Sequence, residues 1–314
     1  MKARARSRSE VSRVTALLAL VVLTAFAAGV ANLFATRRQL VEEVLTTNLT
    51  TARVAGQTIS ANVDVKSKLV EAVAQSLSLV EKVQAHDWPK TMADLRLVKE
   101  VDANLRRVTL LDLAGTVRAT ASADPPSADA QRIGGDKSGC DCFRTALKEP
   151  GSYLSPTVHT DDGPPYLTLS SAVRNGTADP IGVLVAEVPV SVLGLLTDPF
   201  KVPNGGSINV FTARGEQLTN VDRPGQPYAS YDVFLRAGMK PFDTLQALVP
   251  GKTRERLVAY QRIDDPGWVV LVEQPGSVAS VVASTKRLLG FGAFINLILI
   301  AGAVLARRLF RQLE

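Results

Sequence analysis

The chain has 314 residues, 46% of them hydrophobic, and a mean hydropathy of +0.11, which excludes a disordered tail protein and leaves room for one large or two small domains. Its net charge of +6 suggests nucleic acid only until it is located. The first 13 residues carry five basic side chains against Glu10, the last eight carry three against Glu314, and the remainder between 37 and 287 holds 28 of each sign, so the compositional case for a nucleic-acid-binding face disappears.

In chain order, the first element is Val14–Thr36, 23 residues without a charge and about 35 Å long as a helix. Its counterpart near the end is Leu288–Ala306, 19 uncharged residues and about 28 Å. Both match a hydrocarbon core of roughly 30 Å, and 14–36 and 288–306 are therefore expected to be transmembrane helices. For the first run a cleaved signal peptide is the alternative, with Lys2, Arg4, Arg6, Arg8 and Arg13 as its basic region and Ala25-Phe26-Ala27 as a cleavage site. Against that, the apolar run continues nine residues beyond Ala27. For the second the alternative is a buried core helix, which the bracketing Lys286-Arg287 and Arg307-Arg308 disfavour. The basic flanks place the tail 1–13 and the stub 307–314 in the cytoplasm. The expected location is the inner (plasma) membrane, crossed twice, with 37–287 extracytoplasmic.

From Gln39 to about His86 there is no Pro and one Gly, and apolar or small residues fall at Leu45, Leu49, Ala52, Ile59, Val63, Val70, Val73, Leu77 and Val80, with gaps at Gly56 and Lys66. This spacing predicts a helix of 48 residues continuous with the first span. Its stripe packs either on its own domain alone or in part on a second copy. Asp87-Trp88-Pro89 ends it, and Thr91–Leu105 is a second, shorter helix. Strands follow twice. Val108–Asp112 and Thr116–Thr120 flank Leu113-Ala114-Gly115 as a hairpin, and Ile208–Thr212 and Glu216–Asn220 flank Ala213-Arg214-Gly215 in the same manner. Each unit closes alike, with Asp179-Pro180 before Ile181–Glu187 and Asp265-Pro266 before Trp268–Glu273; between lie Tyr153–Thr157, Tyr166–Val173 and Arg254–Arg262. The fold class is α+β, with two PAS-like antiparallel sheets in series behind a long N-terminal helix and a transmembrane helix on each side.

The wording of these segments resembles the double Cache extracytoplasmic sensor module of bacterial transmembrane receptors. Asp141-Cys142-Phe143-Arg144-Thr145-Ala146-Leu147 is similar to that family's helix of the form Asp-Tyr-Phe-x-x-Ala. Gly151–Pro156, Pro165–Ser170 and Gly182–Val188 resemble the three strands after it, and Gly267-Trp268-Val269-Val270 the closing strand of the second sheet. The resemblance covers about 37–287. It implies a stalk and second helix over 37–106, a membrane-distal subdomain at 107–198, a membrane-proximal one at 199–275 and a linker helix at 276–287. It also implies a small-molecule pocket in the first sheet, with Asp141, Phe143, Arg144, Tyr153, Tyr166 and Glu187 as ligand-binding residues. The amino-acid-sensing branch carries Arg-x-Trp-Tyr, a Tyr after a Pro, and a closing Asp; here those positions hold Cys140, Cys142, Phe143, Thr157 and Glu187. Losing that Arg argues against a free α-amino acid held in the family's manner, because a buried carboxylate needs a charge-assisted partner.

Other chemistry is thin. Cys140 and Cys142, the two cysteines, form a disulfide or metal pair or are small side chains lining or covering the pocket. His159 beside Asp161 and Asp162 reads as a solvated turn rather than a loop ligand. Glu187 points into the pocket or reaches water past the sheet's edge, and the Pro- and Gly-rich Asp124–Gly139 is a mobile lid or a linker. No phosphate-cradling loop, His-Glu-x-x-His, Gly-x-Ser-x-Gly or Cys-x-x-Cys is present, so no enzyme and no cofactor is expected. The reading is a membrane-anchored small-molecule sensor of chemotaxis or two-component signalling. Its expected partners are an unknown ligand, the lipid bilayer, a second copy and, unless the sequence is a sensor fragment, a separate cytoplasmic output protein, with no nucleic acid. The alternative is an envelope scaffold that uses the Cache-like domain for protein contacts.

Overall fold

The structure, a computed structural model, describes residues 2–155, 165–176, 179–212, 215–219, 240–248, 255–276 and, singly or in pairs, 290, 292, 294, 297, 298, 301 and 302. The chain divides into two compact units, one of residues 48–244 and 258–273, the other of residues 1–47, 245–257 and 274–314. In the second of these, Val41 and Leu257 are buried together, with Leu40, Val44 and Leu45 against them.

Helix α1 runs unbroken over Lys2–Ala74. The expected helix through His86 is instead divided at Ser76, whose backbone turns extended (φ −66°, ψ 132°). Its hydroxyl donates to the Val73 carbonyl at 2.8 Å and accepts from the Leu79 N–H at 3.4 Å, capping α2 (Leu77–Gln84). A serine hydroxyl competes with the helical backbone for hydrogen bonds, and the apolar periodicity hides the break because Leu79, Val80 and Val83 enter the same core as Val70 and Ala74. The same signal that ends α2 starts α3 (Trp88–Val101), since Asp87 accepts from the Lys90 N–H and Pro89 fills the first turn, where a missing donor costs nothing. The two gaps in the α1 stripe also have causes. Gly56 leaves room for the side chain of Gln261, whose Cγ would lie 3.3 Å from an added Cβ, and buried Lys66 pairs with Asp102.

The first sheet consists of β1 (Arg107–Leu111), β2 (Val117–Ser122), β3 (Ser152–Leu154), β4 (Tyr166–Arg174) and β5 (Pro180–Pro189), ordered β2-β1-β5-β4-β3. Every neighbouring pair is antiparallel. Strand alternation sends Val108, Leu110, Ala119, Ala121, Leu169, Leu184 and Ala186 to one face, where they pack on α1, α2 and α3. Leu111, Val117, Val183 and Val185 face the other way, against Cys142, Phe143 and Ala146 of α5 (Asp141–Lys148). The segment expected to be a mobile loop holds α4 (Pro126–Arg132) instead, fixed to β2 because buried Asp129 accepts from the Ser122 N–H at 3.1 Å and its hydroxyl at 2.6 Å.

After α6 (Ser191–Thr197) comes a second sheet of β6 (Ser207–Phe211), β7 (Phe242–Leu248), β8 (Glu255–Arg262) and β9 (Val269–Pro275), ordered β6-β9-β8-β7. Its opening strand lies beside its closing strand, as β1 lies beside β5. Ile208, Val210, Trp268, Val270 and Val272 pack on Ala52, Ala55 and Ile59 of α1. Among the described residues the expected return strand at Glu216–Asn220 is reduced to a bridge between Gln217 and Phe211 and backbone hydrogen bonds from the Thr212 N–H to Glu216 and from the Leu218 N–H to Val210; Ala213, Arg214 and Asn220 lie outside the described residues. Strand β7 was not expected, because Phe242-Asp243-Thr244-Leu245-Gln246-Ala247-Leu248 mixes polar and apolar residues on both alternating faces.

The membrane placement is corrected. Val14–Thr36 is an inner stretch of the 73-residue α1, and among the described residues no helix is long and apolar enough to cross a membrane. The expected two-pass location therefore does not stand; most of the expected second span, Leu288–Ala306, lies outside the described residues.

The β1–β2 turn carries a pH-dependent contribution. Burial works against the Asp112 carboxylate, but the Thr116 N–H, the Arg118 guanidinium and the Ala114 N–H together outweigh it and hold the group below the ordinary carboxylate range. A depressed folded-state value stabilises above the unfolded pKa near 4, and the gain is lost as pH falls through the folded value. Asp112→Ala is expected to cost about 2 kcal/mol at pH 7. Denaturant titrations at pH 7 and at pH 3 check it, the difference between variant and parent narrowing at pH 3.

Candidate ligand pocket

The site is built on the face of the first sheet that α5 covers. Register sets it: Arg107 stands opposite Glu187, Thr109 opposite Val185, and Thr168 opposite Glu187 on the other side of β5. Between these strands and the start of α5 lies a cavity of about 210 Å³ lined by Thr109, Leu111, Lys137, Cys140, Cys142, Tyr166, Thr168, Val185 and Glu187. Ser170 ties α5 to the sheet by donating to the Cys142 carbonyl at 2.8 Å. Gly115 seats the approach to α5. Its φ is +80°, an added Cβ would lie 2.6 Å from the Ser138 Cα, and its carbonyl accepts from the Lys137 N–H at 2.8 Å.

The charges are grouped. The Glu187 carboxylate, its side chain 8% exposed, accepts from the Arg107 guanidinium at 3.0 Å and has that of Arg106 at 3.8 Å. Arg106 also stacks over the Tyr166 ring, 4.7 Å from its centre. Asp124 lies 3.7 Å from Arg107 and 3.0 Å from Arg132. Thr109 and Thr120 hydroxyls bond each other at 3.1 Å, whereas the Thr168 hydroxyl oxygen is buried with no hydrogen-bond partner among the described residues. Lys137 is exposed at the mouth and makes no ion pair among the described residues.

Of the six residues expected to bind ligand, Tyr166 and Glu187 line this cavity. Phe143 is buried beneath α5 with Leu111 and Val183. Asp141 and Arg144 are exposed and face each other at 3.5 Å, and Arg144 also donates to the Gly139 carbonyl at 2.7 Å, closing the turn before α5. Tyr153 lines a separate groove of about 930 Å³ with Gln57, Asp64, Glu149, Asp264 and Asp265. That groove is larger, but none of its lining residues is buried, so it lacks the desolvated polar groups of the smaller cavity. Cys140 and Cys142 are joined by a disulfide and both line the cavity. Among the described residues no three His, Cys, Asp or Glu are placed to hold a metal ion. Thr157, His159, Asp161 and Asp162 lie outside the described residues.

Sequence reading missed Arg106, Arg107 and Thr168. The signal is in the sequence: Arg107 is two residues before Thr109 and four before Leu111, so strand alternation puts all three on one face, but the apolar run that marks the hairpin begins at Val108.

The chain matches no protein-family model and no curated protein. It is similar in structure to the sensory domain of the Campylobacter jejuni chemoreceptor Tlp3, with a TM-score of 0.60 and 17% identity over 78% of this chain and 98% of that one. The ligand-binding domain of Mlp24 with asparagine gives 0.60 and 14% over 79% and 99%. That of the Pseudomonas fluorescens chemoreceptor CtaA in complex with L-isoleucine gives 0.59 and 15% over 79% and 99%. The resemblance to double Cache modules thus holds at the level of fold: a long N-terminal helix and two antiparallel sheets in series, as in the sensory domains of chemoreceptors.

Proposed function

We propose that the chain is the small-molecule-binding input of a signal-transduction sensor, that ligand enters the cavity beneath α5 in a subdomain spanning 107–198, and that a second copy or an output protein reads the occupancy. The observation that carries this is a cavity holding two buried polar groups, the Glu187 carboxylate and the Thr168 hydroxyl, on the sheet face of a sensory-domain fold. A buried hydroxyl without a partner costs about 1–3 kcal/mol, and a bound molecule is one means of satisfying it. A thermal-shift screen of the full chain against a metabolite library tests the reading, since ligand at 100 times its Kd stabilises by about 2.7 kcal/mol. At least one compound is expected to raise Tm. Thr168→Val is expected to raise the Tm of the unliganded chain while reducing the ligand's effect. Stabilisers whose effect Thr168→Val leaves unchanged would place binding elsewhere.

A further inference from the structure

We infer that the ligand of this cavity is a small carboxylate lacking an α-ammonium group; the inference rests on the pocket reading above and specifies its chemistry. Among the described residues Glu187 is the one carboxylate in the lining, and of these it is the group on which a ligand ammonium would rest. It is already engaged: the Arg107 guanidinium lies at 3.0 Å and that of Arg106 at 3.8 Å, with both arginine side chains largely buried. An ammonium brought to Glu187 would be a third cation around one carboxylate, at the desolvation cost that a buried charge always carries. Asp124 does not offer an alternative, because it is divided between Arg107 and Arg132 and is absent from the lining.

An anion meets the opposite situation. Lys137 stands at the mouth with no carboxylate partner among the described residues, and the Thr168 hydroxyl supplies a donor inside. A charged nitrogen on a carboxylate makes the stronger class of hydrogen bond, and the two guanidiniums behind Glu187 add to the attraction. Size narrows the class. A volume of about 210 Å³ is below the usual range for drug-sized ligands and equals the share of about seven water molecules, which suits an acid of two to five carbons.

Calorimetry of the full chain with matched pairs provides the test: pyruvate, lactate and propionate against alanine, succinate against aspartate, glutarate against glutamate, isovalerate against valine. At least one acid is expected to bind ten or more times tighter than its α-amino counterpart. Lys137→Gln, an exposed change that leaves the core intact, is expected to weaken that acid at least tenfold. Tighter binding of the amino members overturns the inference, as does an acid whose affinity Lys137→Gln leaves unchanged. Silence from both series overturns it too. In that case, a neutral or cationic compound whose stabilisation is lost in Thr168→Val keeps the pocket reading, whereas the absence of any Thr168-dependent stabiliser removes both.

Discussion

Arg107→Ala is expected to lower the stability of the chain by about 3–5 kcal/mol. Both ends of the Arg107–Glu187 pair are buried, with side chains 5% and 8% exposed, so removing the guanidinium leaves a carboxylate out of water with Arg106 3.8 Å away. The pair bridges β1 to β5, the central strand of the sheet, at one end of their register. A buried ion pair is nevertheless a poor source of net stability, because desolvating two charges offsets most of their attraction. Replacing both by apolar residues of similar size, Arg107→Met with Glu187→Leu, is therefore expected to recover most of the loss. Denaturant unfolding of the parent, the singles and the double, compared as a cycle, measures the coupling. Coupling below about 0.5 kcal/mol would mean that the two groups are not held together in solution.

Lys66 gives the second large effect. Its side chain is 5% exposed, lies on the inner stripe of α1 and pairs with Asp102, which follows α3 and also accepts from the Asn104 N–H at 3.0 Å. Lys66→Met keeps the aliphatic bulk and removes the charge. Because Asp102 is 16% exposed and can recruit water, the expected cost is about 2–3 kcal/mol, below the full range for a buried pair. Asp102→Asn added to Lys66→Met should restore part of it, while Lys68→Met, whose partner Asp64 is likewise at the surface, should change stability by less than about 0.5 kcal/mol. Parallel thermal unfolding of the three variants reads the difference.

How far the sequence reveals this molecule depends on the scale at which the information is written. Largely apolar runs such as Tyr166–Val173 and Ile181–Glu187 become β4 and β5 with little change, because a strand buried on both faces needs only such a run bounded by turn residues. Ser76 shows the opposite case: one hydroxyl decides whether α1 continues, and a periodicity argument averages over it. The candidate site was half legible. Glu187 and Tyr166 stand out as polar residues at the ends of apolar strands, and the family resemblance marks them. Arg107 does not, because a basic residue at the start of a strand reads as a solvated end. Only the antiparallel register, which joins residues 80 positions apart, shows that it is buried against Glu187. Asp141 and Arg144 mislead for a related reason: on a helix of two turns, one face meets the sheet and the other meets water, and these two lie on the outer face.

A crystal structure of the chain with its strongest stabiliser tests the location of the ligand directly. Density is expected between α5 and the first sheet, within hydrogen-bonding distance of the Thr168 hydroxyl and reachable by Lys137, with Glu187 still held by Arg107. Density instead in the open groove lined by Gln57, Asp64, Tyr153 and Asp265, with the cavity beneath α5 unchanged, would contradict it.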